Sequence, residues 1–76
     1  MPSHRNPVLR RFGDALREER KRQGISQEQL ALEAEINRTY MGGVERGEEN
    51  ISLLTIQKLS TVLKVKPSAL LGQAGL

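Results

Sequence analysis

An all-α fold, a compact bundle of five helices, is what this sequence predicts, and three observations predict it. Apolar residues recur at helical spacing along most of the chain, and no stretch alternates with the period of two that a half-buried strand needs. Capping residues and glycines cut the chain into five pieces joined by connections of only a few residues. Finally, 76 residues with 3 % aromatics and no cysteine can build only one small domain, on an aliphatic core without disulfides.

Each element follows from its own signals. Residues 1–6 lack periodicity and read as a tail. Asn6 before Pro7 opens the first helix, with Asn at the cap and Pro at the first helical position. Leu9, Phe12 and Leu16 share a face of this helix, which runs to about Gln23 and stops at Gly24. Ser26 caps the second helix, roughly Gln27 to Glu35, and Gln29 gives the S-x-x-Q form of the capping box. Leu30 and Ala34 mark its inner face. Asn37 caps the third, Arg38 to Arg46, with Gly47 behind it. A loop, Glu48-Glu49-Asn50-Ile51, leads to Ser52, the cap of the fourth helix. There Ile56, Leu59, Ser60 and Leu63 form a buried stripe, extended backwards by Leu53. Lys66-Pro67 breaks the chain and starts a short fifth helix, Ser68 to Leu71, ended by Gly72. The domain therefore spans 7–72, and 73–76 are expected to fray.

Composition excludes several functions. The single histidine, His4, lies in the tail, no thiolate is present, and no metal or other cofactor is expected. No nucleophile–base set or phosphate-cradling glycine loop is visible, so the chain is not read as an enzyme. No apolar run approaches a membrane span, and no signal peptide is seen; the expected location is the cytoplasm. A net charge of +3 and a pI near 9.8 favour a polyanionic partner. Basic residues crowd the first third, whereas Glu28, Glu33, Glu35, Glu45, Glu48 and Glu49 gather in the middle. Recognition by the middle helices must then be local and geometric. Arg5, Arg10 and Arg11 read as a disordered basic tail, with contact to phosphates or a minor groove as the alternative, and Lys21 and Arg22 as a solvated face.

The second and third helices, joined by a very short turn, write out a helix-turn-helix, and the third opens with Arg38-Thr39-Tyr40. Long donor-bearing side chains at that end are what such a motif presents to base edges. Arg38 offers a guanidinium fork to guanine, and Thr39 a methyl or hydroxyl to a base edge. Tyr40 is either a phosphate contact or a packing residue. Gln27, at the start of the second helix, offers an amide to a phosphate. Gly42 and Gly43 are unexpected inside a helix, and either bring the backbone close to DNA or relieve crowding within the fold.

The strings Gly24-Ile25-Ser26-Gln27-Glu28-x-Leu30-Ala31 and Val44-Glu45-Arg46-Gly47, with Ile56 to Leu63 and Val65 to Leu71, resemble the Xre/Cro/cI-type phage-repressor helix-turn-helix. Asn37-Arg38-Thr39-Tyr40 and Glu45-Arg46-Gly47-x-x-Asn50-Ile51-Ser52-Leu53 are most similar to controller proteins of restriction–modification systems. The resemblance implies a homodimer on a pseudo-palindromic double-stranded DNA operator. It implies control of the protein's own gene and of an endonuclease gene, with RNA polymerase as a further partner. It implies phosphate contacts from Arg46 and Asn50, and an ion pair between Arg20 and Glu45 tying the first helix to the third. It places the dimer contact on the fifth helix and the end of the fourth. Leu54, Val62, Leu70, Leu71 and Leu76 supply more apolar surface than one bundle needs, and are the candidates for that seam. A phage or plasmid repressor, or the antitoxin of a toxin pair, remain the alternatives.

Overall fold

The structure, a computed structural model, describes residues 6–76; the readings for His4, Arg5 and all of the tail but Asn6 lie outside it. Five helices follow one another: α1 (Pro7–Arg22), α2 (Gln27–Glu33), α3 (Arg38–Glu45), α4 (Leu53–Leu63) and α5 (Pro67–Gln73). Arg10 and Arg11, read as disordered tail, instead lie within α1. The four predicted side-chain caps are all made. Asn6 accepts from the Val8 N–H at 2.8 Å, Ser26 from Gln29 at 3.0 Å, Asn37 from Tyr40 at 3.1 Å and Ser52 from Thr55 at 3.1 Å. Each satisfies a donor the helix cannot, and is worth about 1 kcal/mol. The capping box at α2 is only half made. The Gln29 side chain donates to Glu33 one turn on and does not reach back to Ser26.

The helix stops share one geometry. In each, the N–H of a residue beyond the end returns to a carbonyl in the last turn: Ile25 to Arg20, Ile36 to Ala31, Glu48 to Gly43, Val65 to Ser60 and Leu76 to Leu71, at 2.8–3.1 Å. That closure needs a left-handed residue just before the donor. Glycine takes the position at Gly24, Gly47 and Gly75, whereas Glu35 (φ 57°) and Lys64 (φ 59°) take it after α2 and α4. Glu35 therefore lies outside α2, two residues beyond its last helical residue. At the other end of the chain, α5 runs through Gly72 and closes at Gly75, with Ala74 buried. Residues 73–76, expected to fray, are instead a hydrogen-bonded helix stop.

The core is aliphatic, as the composition requires: Leu16, Leu30, Met41, Leu59, Leu63 and Leu70 are fully buried around Phe12. α1 packs against both α3 and α5, while α2 packs against α3 and α4. Two sites bring backbones into contact. A Cβ on Gly13 would lie 2.5 Å from the carbonyl oxygens of Val44 and Glu45, and one on Gly47 would lie 2.7 Å from Arg10 Cα. Only glycine lets α1 cross the end of α3 this closely.

Two apolar assignments need correction. Leu53 does not extend the buried stripe of α4 and is 74 % exposed. A helical side chain leans over the turn before its own Cα, and at the first position of a helix no such turn exists. Leu70 is wholly buried, so it belongs to the monomer core and cannot form a seam between subunits.

Candidate nucleic-acid interface

The amino and carboxy halves of α3 have opposite surroundings. Asn37 caps the helix; Arg38 and Thr39 stand in solvent; Met41 through Glu45 are buried. Tyr40 falls between, half-buried and packed against the core. The Arg38 guanidinium meets Glu28 of α2, Nε to Oε2, at 3.4 Å, with the two side chains 65 % and 70 % exposed. A pair so open to water is worth about 0–1 kcal/mol. Arg38 is tethered lightly and can be drawn away.

At the other end, Glu45 is held from two sides. Arg20 Nε donates to Oε2 at 2.7 Å and Nη2 to Oε1 at 3.0 Å, while Arg20 Nη1 reaches the Ile25 carbonyl at 2.9 Å. The side chains of this pair are 10 % and 3 % exposed. Hydrogen bonding to Glu45 raises the Arg20 pKa, against the opposing effect of burial. Gln27 donates from Nε2 to the same Glu45 Oε1 at 3.0 Å. The amide read as a phosphate contact is thus half-buried and anchored inward through one proton, with one amide proton left to give. Every buried side-chain nitrogen or oxygen among the described residues has a partner.

Arg46 caps the carboxy end of α3 and is exposed, its Nε donating to Glu48 Oε1 at 3.1 Å. Asn50 is exposed in the loop that follows. The two glycines of α3 are both covered by side chains. Arg46 and Gln27 lie over Gly42, and Glu49 lies over Gly43, where a Cβ would come 2.7 Å from Glu49 Cγ. Of the two readings of these glycines, the structure favours relief of crowding.

Sequence reasoning missed three features. Glu28 is ten residues and one helix away from Arg38, so no local pattern joins them. Gly13 lies inside α1 and carries no local signal of the close approach it permits. Glu19, buried on α1, accepts from Arg22, from Gln23 Nε2 at 2.9 Å and from Gln73 Nε2 at 3.2 Å. Gln23 Nε2 also donates to the Leu63 carbonyl at 2.8 Å, so this network ties α1 to the ends of α4 and α5. The Gln23 hydrogen bond chiefly holds the Glu19 pKa below its ordinary value, against burial, with Gln73 and the charge of Arg22 adding to it. The available signal was a carboxylate, Glu19, on the buried face of α1 with an amide, the C-cap Gln23, four residues on.

A short α2, a tight turn and an α3 that is free at its amino end and clamped at its carboxy end define a helix-turn-helix. The helix-turn-helix family model matches residues 16–70, and the chain belongs to that family, as a DNA-binding transcription regulator. It is 42 % identical over 67 residues to the control protein C.BamHI of Bacillus amyloliquefaciens, spanning 87 % of this chain and 83 % of that one. The crystal structure of the restriction-modification controller protein C.AhdI from Aeromonas hydrophila matches with a TM-score of 0.80 at 50 % identity, over 82 % of this chain and 94 % of that one. The biofilm regulator SinR, solved in complex with DNA, matches with a TM-score of 0.75 at 33 % identity, over 79 % and 97 %. No helix among the described residues is long and apolar enough to cross a membrane.

Proposed function

We propose that this chain is a controller protein of a restriction–modification system, acting in the cytoplasm as a homodimer on a pseudo-palindromic operator, and regulating its own gene and that of the endonuclease. The observation that carries the DNA reading is the exposure of Arg38 and Thr39 at the amino end of a helix whose other end is fixed to α1. In this reading Arg38 forks onto guanine and Thr39 meets a neighbouring base edge. Gln27, Tyr40, Arg46 and Asn50 hold phosphates and set the register. RNA polymerase is the further partner when the bound protein activates transcription.

The dimer reading draws on apolar surface the monomer leaves open. Leu54 is 71 % exposed, Leu53 lies beside it, and Val62 and Leu71 are half-buried. Large apolar side chains left open to solvent are candidates for an interaction site. Sedimentation should give a dimer at micromolar concentration; a monomer there would remove the seam. Footprinting the DNA upstream of the protein's own gene should show protected half-sites about one helical turn apart. An unprotected promoter would contradict self-regulation.

A further inference from the structure

Gly42 occupies the second turn of α3, where a glycine is destabilising relative to alanine. The backbone gives no reason for it. Positive φ among the glycines is confined to Gly24, Gly47 and Gly75. Nor does another backbone press on it, as α3 presses on Gly13. The atoms nearest to an added Cβ are the ends of two side chains: Arg46 Nη1 at 3.0 Å and Gln27 Oε1 at 3.6 Å. These come from different elements. Arg46 is the cap of α3, folded back over the preceding turn, and Gln27 is the first residue of α2.

Each of the two is also gripped from behind by a carboxylate. Glu48 takes Arg46 Nε at 3.1 Å, and Glu45 takes Gln27 Nε2 at 3.0 Å. With Nε2 turned to Glu45, Gln27 presents its carboxamide oxygen over Gly42, next to a guanidinium that keeps four further N–H donors. The empty space over Gly42 is what lets the guanidinium fold back against it.

We propose that Gly42 is a positioning residue for phosphate binding: its missing side chain seats the Arg46 guanidinium against the preceding turn, beside the Gln27 carboxamide oxygen, in the pose from which Arg46 addresses a DNA phosphate. The inference rests on the reading of Arg46 as a phosphate contact. A side chain at this position pushes the guanidinium outward and out of that pose. Because the displaced group is the end of a flexible, exposed arginine, the fold survives the change.

The test compares wild type, Gly42→Ala, Gly42→Leu, Arg46→Ala and the Gly42→Ala/Arg46→Ala double variant. Thermal melts and anisotropy titrations on a mixed-sequence duplex over a range of salt are the readouts. Gly42→Ala should melt no lower than wild type yet bind about three-fold more weakly, a fraction of one charge-assisted hydrogen bond. Gly42→Leu should lose more. The logarithmic salt slope should shallow toward the loss of about 0.9 that one phosphate contact contributes. In the Arg46→Ala background, Gly42→Ala should change nothing, since the group it displaces is gone. If Arg46→Ala weakens binding while Gly42→Ala binds like wild type, the inference is overturned and the Arg46 contact stands. If Arg46→Ala itself has no effect, the phosphate reading fails and the inference with it. An equal loss from Gly42→Ala in both backgrounds would assign the glycine a role independent of Arg46 and overturn the proposal.

Discussion

The two ends of α3 use the same chemistry, an arginine facing a glutamate, to opposite effect. At the carboxy end, Arg20 and Glu45 are buried, joined at two points and backed by Gln27. At the amino end, Arg38 and Glu28 meet once, in water, at 3.4 Å. Burial rather than residue type sets the strength of an ion pair and the cost of breaking it. The helix is consequently fixed at its base while its tip stays available to a ligand. A recognition element needs both properties: a rigid mount sets the angle of approach, and a lightly held side chain exchanges a weak partner for a better one.

The largest test of this contrast is Glu45→Ala, which leaves the Arg20 guanidinium buried and uncompensated. It should cost about 3–5 kcal/mol in a urea titration. A loss below about 1 kcal/mol would show the mount to be no firmer than the tip. Next is Gly13→Ala, which forces a Cβ against the carbonyls of Val44 and Glu45. Backbone cannot yield as a side chain can, and the expected cost is about 1–3 kcal/mol; an unchanged melting temperature would mean that α1 and α3 do not lie in contact.

Acid should weaken the α1–α4–α5 network through Glu19. Its folded pKa lies below the unfolded one, so its contribution is complete above the unfolded value of about 4.3 and is lost as pH falls through the folded value. Glu19→Gln should therefore melt below wild type at pH 7, and the gap should close toward pH 3. A gap independent of pH would detach the effect from ionisation. The smallest effect is expected at the tip. Glu28→Ala should change stability by at most about 1 kcal/mol; a loss comparable to that of Glu45→Ala would erase the distinction between the two ends.

Local chemistry was the legible part of this sequence. Asn6, Ser26, Asn37 and Ser52 announce helix starts because a cap acts within three residues of itself. Gly24 and Gly47 announce stops for the same reason. Glu35 and Lys64 hold the same left-handed stop without glycine's freedom, so nothing in their residue type gave them away. Gly72 misled because α5 takes its left-handed turn at Gly75 instead. Leu53 and Leu70 were misassigned because periodicity says which residues share a face and leaves open whether anything covers it. Within the candidate interface, exposed Arg38 and Thr39 were readable from their place after a cap. The Glu28 partner and the side chains over Gly42 depend on how α2 meets α3, which only the assembled bundle settles.

The central claim is that sequence preference resides in the lightly held tip of α3. The most direct measurement titrates wild type and Arg38→Ala on a duplex that the wild-type protein selects from a random-sequence pool, and on a scrambled duplex of the same composition. Arg38→Ala should lose about 1–3 kcal/mol on the selected duplex and little on the scrambled one. Equal losses on both would make Arg38 a phosphate contact and contradict the claim.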